Sequence, residues 1–250
     1  MKSKEAIYIK IAFLTDLRRF LPKGYTDAKS VYLLDDPDNI VSDDGKRHHY
    51  SLNTEKGRRI AKQINKAREI DKQIDELEAY WRVNYKGNMP EVTRLRIKVE
   101  SPIGLNNDFY QRAVPESNTM AYKTAFMFRG TNFRSKNELI IAEILTELGL
   151  EYKYEPKIIL ANGQTLYPDF LVNIEEANRC FIIEIQGMMN DVNYVTKAVQ
   201  KESIYFQNGY RDGKEILFFK SGTDTIDFDA FKLLVEAVVE ANIKEAYKIV

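Results

Sequence analysis

The chain has 250 residues and a mass of 29.1 kDa, enough for one large domain or two smaller ones with cores of their own. Its 37 Lys and Arg residues balance its 37 Asp and Glu residues, which argues against nucleic-acid binding through bulk positive charge. No apolar run approaches the roughly 20 residues that a membrane helix needs, so we expect no membrane association. The single cysteine, Cys180, excludes an internal disulfide and favours a reducing, cytoplasmic location.

The two halves of the chain differ in charge. Residues 1–125 contain 23 Lys and Arg against 18 Asp and Glu, whereas residues 126–250 contain 14 against 19. We therefore expect a basic N-terminal module and an acidic C-terminal module, whose carboxylates are concentrated for a metal ion.

Residues 6–14 are apolar but too mixed to assign, and the first firm element is a long helix over residues 54–85. Its apolar positions are spaced by three or four and form one stripe, and Gly87 and Pro90 end it. The stripe comprises Ile60, Ile64, Ala67, Ile70, Ile74, Leu77 and Trp81. A helix of this length, about 45 Å, either packs along its own domain or forms an arm. Such an arm serves homodimerisation or presents Lys and Arg to phosphate.

Residues 95–100 alternate between apolar and charged side chains, which predicts a strand. Arg94, Arg96 and Lys98 then lie on one charged face, which is either solvated or contacts DNA. Residues 122–129 are a second candidate strand, and residues 130–132 the joint between modules. We therefore predict an α+β module over residues 1–128 and a second domain over residues 129–250.

The second domain has clear helix and strand signals. Helices are predicted over residues 135–148, 192–206 and 229–248, and short apolar strands over residues 181–185 and 216–219. Asn162-Gly163 predicts the turn of a hairpin formed by residues 157–161 and 164–172. This order of elements predicts an α/β domain with a mixed central sheet flanked by helices.

Two acidic residues stand in this apolar context. Asp169 falls in the second hairpin strand and Glu184 at the end of the buried strand, with Gln186 on the same face as Glu184. If the strands are neighbours, the two carboxylates meet at one end of the sheet. Such a pair suits Mg²⁺, which takes oxygen ligands and can activate water against a phosphodiester.

The sequence around these acids resembles that of the PD-(D/E)xK nuclease superfamily, which has the restriction-endonuclease-like fold. Asp169 matches the PD acid of Tyr167-Pro168-Asp169-Phe170, Glu184 the second acid, and Gln186 the usual lysine position. Residues 134–142 resemble the RSKSExIIA opening of a bacterial and phage branch, and similarity continues through residues 152–156, 187–189 and 201–209. That branch usually reads Glu-His-x-Gly, whereas this chain has Ile185 in place of the histidine.

The resemblance implies a site for Mg²⁺, with Mn²⁺ as an alternative. It assigns as metal ligands Asp169, Glu184, the backbone carbonyl of Ile185, and Glu138. Gln186 then positions water. Lys201 is a candidate for the missing positive charge, since the helix after the strand passes near the sheet edge.

Simpler interpretations of two of these residues remain open. Ser135 and Glu138 have the spacing of a capping box, which alone explains the glutamate. Lys197 and Lys201 share a helix face with Tyr194, and both lysines are equally compatible with a solvated surface.

The sequence and the resemblance together predict a metal-dependent deoxyribonuclease, an endonuclease of phage or mobile-element type. DNA is the expected partner, with RNA not excluded and a loading partner as a further possibility. Expected nucleic-acid contacts are Arg94, Arg96, Lys98, Arg134, Lys136 and Lys197. The alternatives are a decayed nuclease fold that binds nucleic acid or assists assembly, and a scaffold that dimerises through the long helix.

Overall fold

The computed structural model describes residues 3–34, 49–115, 126–187, 190–220 and 226–249. It divides into two compact units, residues 3–95 and 96–250. This boundary precedes the expected one at residues 128 and 129, because the segment after residue 95 is tied to the C-terminal unit. The amides of Lys98 and Val99 donate to the carbonyl of Ala246 (2.8 and 3.1 Å), and the buried Arg179 donates to the carbonyl of Val99 (3.0 Å).

The N-terminal unit combines two helices with a small antiparallel sheet of strand order β1-β2-β3. Its elements are α1 (Lys4–Arg19), β1 (Gly24–Thr26), β2 (Ser30–Leu33), β3 (His49–Ser51) and α2 (Glu55–Asn84). The long predicted helix is confirmed as α2, and the unassigned residues 6–14 belong to α1.

The apolar stripe of α2 packs within its own unit. Ile60 and Ile64 contact Val31 of β2, and farther along the helix Trp81 packs with Ile7 and Ile11 of α1. The helix therefore packs along its own domain, which is the first of the interpretations given for it. Its use in homodimerisation stays a prediction.

The predicted strand over residues 95–100 is wrong, because this segment pairs with no strand in the described part of the chain. Its exposure nevertheless alternates as the sequence indicates. Leu95, Ile97 and Val99 are half-buried, whereas Arg94, Arg96 and Lys98 are exposed. Two of its amides, those of Lys98 and Val99, bond to the end of the last helix and not to a sheet.

The predicted joint at residues 130–132 lies in a hairpin of the C-terminal unit. Strand β4 (Met127–Phe128) pairs with β5 (Thr131–Asn132), and Gly130 in the turn has a φ of +83°. A left-handed backbone of this kind favours glycine. The rest of the predicted strand, residues 122–125, lies outside the described residues.

The C-terminal unit is a mixed α/β structure, which confirms the coarse fold class predicted. Its further elements are α3 (Asn107–Arg112), α4 (Lys136–Glu147), β6 (Tyr152–Tyr154), β7 (Ile158–Ile159), β8 (Thr165–Leu166), β9 (Phe170–Ile174), β10 (Arg179–Gln186), α5 (Val192–Gln207), β11 (Ile216–Lys220) and α6 (Phe228–Tyr247). The central sheet has the order β11-β10-β9-β6; β10 is parallel to β11 and antiparallel to β9, which is antiparallel to β6.

The predicted hairpin is only partly correct. Asn162-Gly163 does turn a hairpin, β7 with β8, but the expected second strand is divided between β8 and β9. Pro168 lies in the gap, where a missing N–H interrupts strand pairing. Strand β6 was not anticipated, because three residues are too few for a periodic signal.

The two faces of the central sheet pack against different helices. Cys180 and Ile182 of β10 join a core cluster with Tyr205 of α5, so the even-numbered side chains of β10 face α5. On the opposite face, Phe219 of β11 contacts Phe231 of α6. The face that carries Glu184 is therefore the one toward α5. None of the helices in the described ranges is long and apolar enough for a membrane span.

Candidate functional site

A cleft of about 590 Å³ opens in the C-terminal unit where β9 begins and β10 ends. It lies between the first turn of α4, the ends of these two strands and one face of α5. Its lining includes Arg134, Glu138, Asp169, Glu184, Ile185, Gln186, Tyr194, Lys197 and Lys201. The structure thus brings most of the residues selected from the sequence to one cavity.

Three acidic residues lie side by side across the strand ends. The register that pairs Phe170 with Ile183 of β10 and with Tyr154 of β6 places Asp169 opposite Glu184 on one side and Glu155 on the other. The Glu155 amide donates to the Asp169 carbonyl (3.0 Å), which extends the β6 pairing by one residue. Side chains directly opposite each other on antiparallel strands have Cβ atoms about 5 Å apart.

Glu184 is buried and held by two donors on α5. Lys201 Nζ donates to Oε2 (2.7 Å) and the Tyr205 hydroxyl donates to Oε1 (2.6 Å). Burial, followed by the charge of Asp169, raises the pKa of Glu184 to about 7 against the opposing effect of Lys201. Lys201, the residue selected from the sequence to supply a positive charge, therefore contacts Glu184 directly.

Asp169 is held by a backbone amide and a guanidinium. Its Oδ2 accepts from the amide of Ile185 (2.7 Å), and its Oδ1 accepts from Arg134 Nη2 (3.1 Å). Burial raises the pKa of Asp169, and the bond from Ile185 opposes that rise. The Asp169 side chain thus bonds the backbone of β10 beyond the last pair of β9 with β10, Phe170 with Ile183.

Glu138 has the capping geometry expected from its spacing, but only in part. Ser135 caps α4 by accepting from the Glu138 amide (3.2 Å). The Glu138 carboxylate reaches back to the amide of Arg134 (2.9 Å) instead of that of Ser135, and also accepts from the Tyr154 hydroxyl (2.6 Å). The same carboxylate lines the cleft, so capping does not account for all of its contacts.

Glu155 does not line the cleft, but it pairs with Arg134, which does, and the sequence reasoning missed it. It follows β6 directly, is buried, and adopts a left-handed backbone with a φ of +43°. Arg134 Nε donates to its Oε1 (2.8 Å), and burial raises its pKa while the charge of Arg134 opposes the rise. The available sequence signal was an acidic residue directly before Pro156 and after Tyr152 and Tyr154. This signal indicates a place beside Asp169 only when the register of β6 against β9 is known.

Gln186 and Ile185 complete the end of β10. Gln186 is 4% exposed, and within the described part of the chain its Oε1 accepts no hydrogen bond. An acceptor buried without a partner is unusual in a folded protein. The predicted role of the Ile185 carbonyl stays a prediction, and Met188 and Met189 of the family motif lie outside the described residues.

The predicted nucleic-acid contacts are not all in one place. Arg134 and Lys197 line the cleft, whereas Lys136 is exposed and is not among its lining residues. Arg96 and Lys98 are exposed elsewhere on the C-terminal unit. Arg94 belongs to the N-terminal unit, where it pairs with Asp16 (3.2 Å).

The donors at the cleft are suited to hard cations or to phosphate. Within the described ranges, no group of three or more His, Cys, Asp or Glu side chains is arranged to hold a metal ion. Mg²⁺ is nevertheless commonly bound by only one or two carboxylates, with several waters completing its coordination. Lys201, Lys197 and Arg134 supply positive charge around the same cavity.

Comparisons with known proteins identify one relative, without an assigned activity. An uncharacterized protein of Methanocaldococcus jannaschii is 36% identical over 84 residues, which cover 32% of this chain and 7% of that protein. The chain therefore spans a small fraction of that relative. No protein-family model matches the chain, and neither does any solved structure.

Proposed function

We propose that the protein is a metal-dependent nuclease that hydrolyses DNA phosphodiester bonds at the cleft of the C-terminal unit. One observation carries the proposal: Asp169, directly before β9, and Glu184, on the neighbouring β10, are both buried at a cleft that also exposes lysine and arginine. Buried carboxylates are costly unless they serve a paired charge or a cation. A surface of this kind offers oxygen ligands and phosphate-binding cations together.

The residues present fit a single hard cation. Asp169 and Glu184 provide carboxylate oxygens, and Gln186, whose buried Oε1 has no hydrogen-bond partner in the described part of the chain, also lines the cavity. Asp169 and Glu184 would hold Mg²⁺ or Mn²⁺, which would supply polarisation of a phosphodiester and a lower pKa for a bound water. Glu138 lines the same cleft, and its Oε2 accepts from the Tyr154 hydroxyl and the Arg134 amide.

Lysine side chains of α5 supply the positive charge that Gln186 lacks. A neutral amide orients a water molecule by hydrogen bonding but brings no charge to a phosphate. Lys201 Nζ, now 2.7 Å from Glu184 Oε2, is close enough to stabilise negative charge that develops on a phosphate in the cleft. Lys197, one turn earlier on the helix, extends this positive edge.

The arrangement of elements supports the restriction-endonuclease-like fold that the motif resemblance implies. Helix α4 precedes three antiparallel strands of the central sheet, and α5 then crosses over to β11, which is parallel to β10. The acids stand at the start of the second of these strands and near the end of the third. An endonuclease of phage or mobile-element type acting in the cytoplasm is the corresponding biological proposal, with RNA as a second substrate class.

Incubation of the protein with plasmid DNA and Mg²⁺ tests the proposed function. We expect nicking or linearisation by the wild type, which stops when EDTA is added, and none by Asp169→Ala. Circular dichroism of the variant controls for folding. Equal cleavage by both proteins would contradict the assignment.

A second function is favoured by the saturation of the acids with internal partners. Arg134 contacts Asp169, and Lys201 and Tyr205 contact Glu184, as in a purely structural polar network. A decayed nuclease fold that binds nucleic acid then explains Gln186 at the lysine position. It predicts that Asp169→Ala retains DNA binding in a gel-shift assay and that calorimetry shows no Mg²⁺ uptake by the wild type.

A further inference from the structure

Arg134 occupies an unusual position for a residue selected as a phosphate contact. Its guanidinium lies among three carboxylates contributed by three different elements of the fold. Nε donates to Glu155 (2.8 Å), and Nη2 lies 3.1 Å from Asp169 Oδ1 and 3.5 Å from Glu138 Oε1. A planar guanidinium with several donors is suited to bridging carboxylates in this way.

The three carboxylates are too buried to be left unneutralised. Glu138, Glu155 and Asp169 are 9%, 6% and 8% exposed, whereas the Arg134 side chain is 42% exposed. Removing water from an ionised carboxylate is costly unless a cation replaces the lost solvation. Arg134 therefore performs for these acids the electrostatic role that a bound cation otherwise performs.

The charges of the whole site are consistent with this role. When ionised, the three acids and Glu184 carry four negative charges, and Arg134 and Lys201 carry two positive charges. Lys197, which lines the same cleft, adds a third positive charge. Lys201 balances Glu184, so the negative excess lies on Glu138, Glu155 and Asp169, which share the one positive charge of Arg134.

We propose that the Arg134 guanidinium takes the place of a second metal ion between Glu138, Glu155 and Asp169, so that the cleft binds one divalent cation and not two. The inference rests on the proposed function, because it requires that Asp169 and Glu184 bind a cation. Arg134 is then a positioning residue for the acids, and its availability to a phosphate is limited by its three carboxylate contacts.

Counting bound Mn²⁺ by electron paramagnetic resonance of the free ion tests the inference on the full chain. We expect one Mn²⁺ per wild-type chain, two per Arg134→Gln chain, and one for Arg134→Lys, which keeps the charge. Lys197→Gln removes a cation from the same cleft without removing a contact described for these acids, so it should still bind one. Circular dichroism accompanies each count.

The outcomes separate this inference from the proposed function. Two Mn²⁺ ions in the wild type, or only one in a folded Arg134→Gln, overturn the inference and leave the nuclease proposal standing. No Mn²⁺ in the wild type overturns both. If Arg134→Gln does not fold in buffer, folding restored by Mn²⁺, with two ions bound, supports the inference, and failure of Mn²⁺ to restore it overturns it.

Discussion

The two units of this protein use charged residues in opposite ways. In the N-terminal unit, the Lys and Arg side chains of α2 lie on an exposed helix surface while its apolar stripe packs inward. In the C-terminal unit, the buried carboxylates of Glu138, Asp169 and Glu184 line one cleft, and each has cationic or hydroxyl partners. The exposed charges cost little to maintain, whereas the buried ones are costly. The buried charges are therefore the better indicator of function.

The units should differ most in the free energy of unfolding that is lost when an arginine is replaced by alanine. Arg179 is 2% exposed and contacts Val99, Glu100 and Glu245. Because Arg179→Ala removes a buried side chain together with its bonds to Val99 and Glu100 and its ion pair with Glu245, we expect a loss of about 2–5 kcal/mol in the free energy of unfolding of the C-terminal unit. Arg68→Ala, on the exposed surface of α2, should change the free energy of unfolding of the N-terminal unit by less than about 0.5 kcal/mol. Urea unfolding measures both, and equal losses would erase the comparison.

The pH dependence of stability should reveal the buried Glu184. Its pKa is raised to about 7 in the folded protein, so the folded state holds a proton that the unfolded state has lost. Stability is therefore greatest below the pKa of the unfolded chain and is lost as the pH rises through 7. Between pH 5 and 8 we expect Glu184 to account for a decrease of about 2–3 kcal/mol.

Glu184→Gln is the matched control for this titration, because it keeps the shape and removes the ionisation. Its unfolding free energy should fall less over the same pH interval than that of the wild type. The remaining decrease in Glu184→Gln reports other groups with raised pKa values, such as Asp169 and Glu155. Identical pH profiles for the two proteins would mean that Glu184 is not the buried titrating acid.

Two lysines one turn apart on α5 sharpen the comparison within the C-terminal unit. At pH 8, Lys201→Gln removes the cation bonded to Glu184, and we expect a loss of about 1–3 kcal/mol in the free energy of unfolding. Lys197→Gln removes an exposed cation that lines the cleft, and should cost less than about 0.5 kcal/mol. Thermal unfolding of the pair checks this, and a larger loss for Lys197→Gln would contradict the assigned contacts.

The smallest effect is expected for an exposed ion pair of the N-terminal unit. Arg94 contacts Asp16 at 3.2 Å, but its side chain is 65% exposed. Pairs of this kind contribute at most about 1 kcal/mol. Arg94→Ala should therefore leave the urea midpoint of the N-terminal unit nearly unchanged, and a shift comparable to that of Arg179→Ala would show that the exposed pair is structural.

Elements with strong local signals could be predicted from the sequence. The stripe of α2, the apolar run of β10 and the spacing of α4, α5 and α6 each specify their element locally. The segment over residues 95–100 could not be predicted, because alternation describes its exposure but not the absence of a strand partner. Strand β6 is short and becomes a strand through pairing with β9.

The candidate site divides in the same way. Asp169, Glu184 and Gln186 could be selected because acids in apolar strands are conspicuous, and strand periodicity places Glu184 and Gln186 on one face. Glu155 could not be selected, since its place beside Asp169 depends on register. The contacts of Arg134 were also hidden, because a basic residue before a helix has no local feature that indicates three carboxylate partners.

Cleavage of an end-labelled DNA duplex in Mg²⁺ is the most direct test of the central claim, that the buried acids of the C-terminal unit form a nuclease site. We predict cleavage by the wild type and by Arg68→Ala, and a loss of at least about 100-fold for Asp169→Ala and Glu184→Ala. Cleavage that persists in folded Asp169→Ala, or a wild type that does not cut in Mg²⁺ or Mn²⁺, would contradict the account.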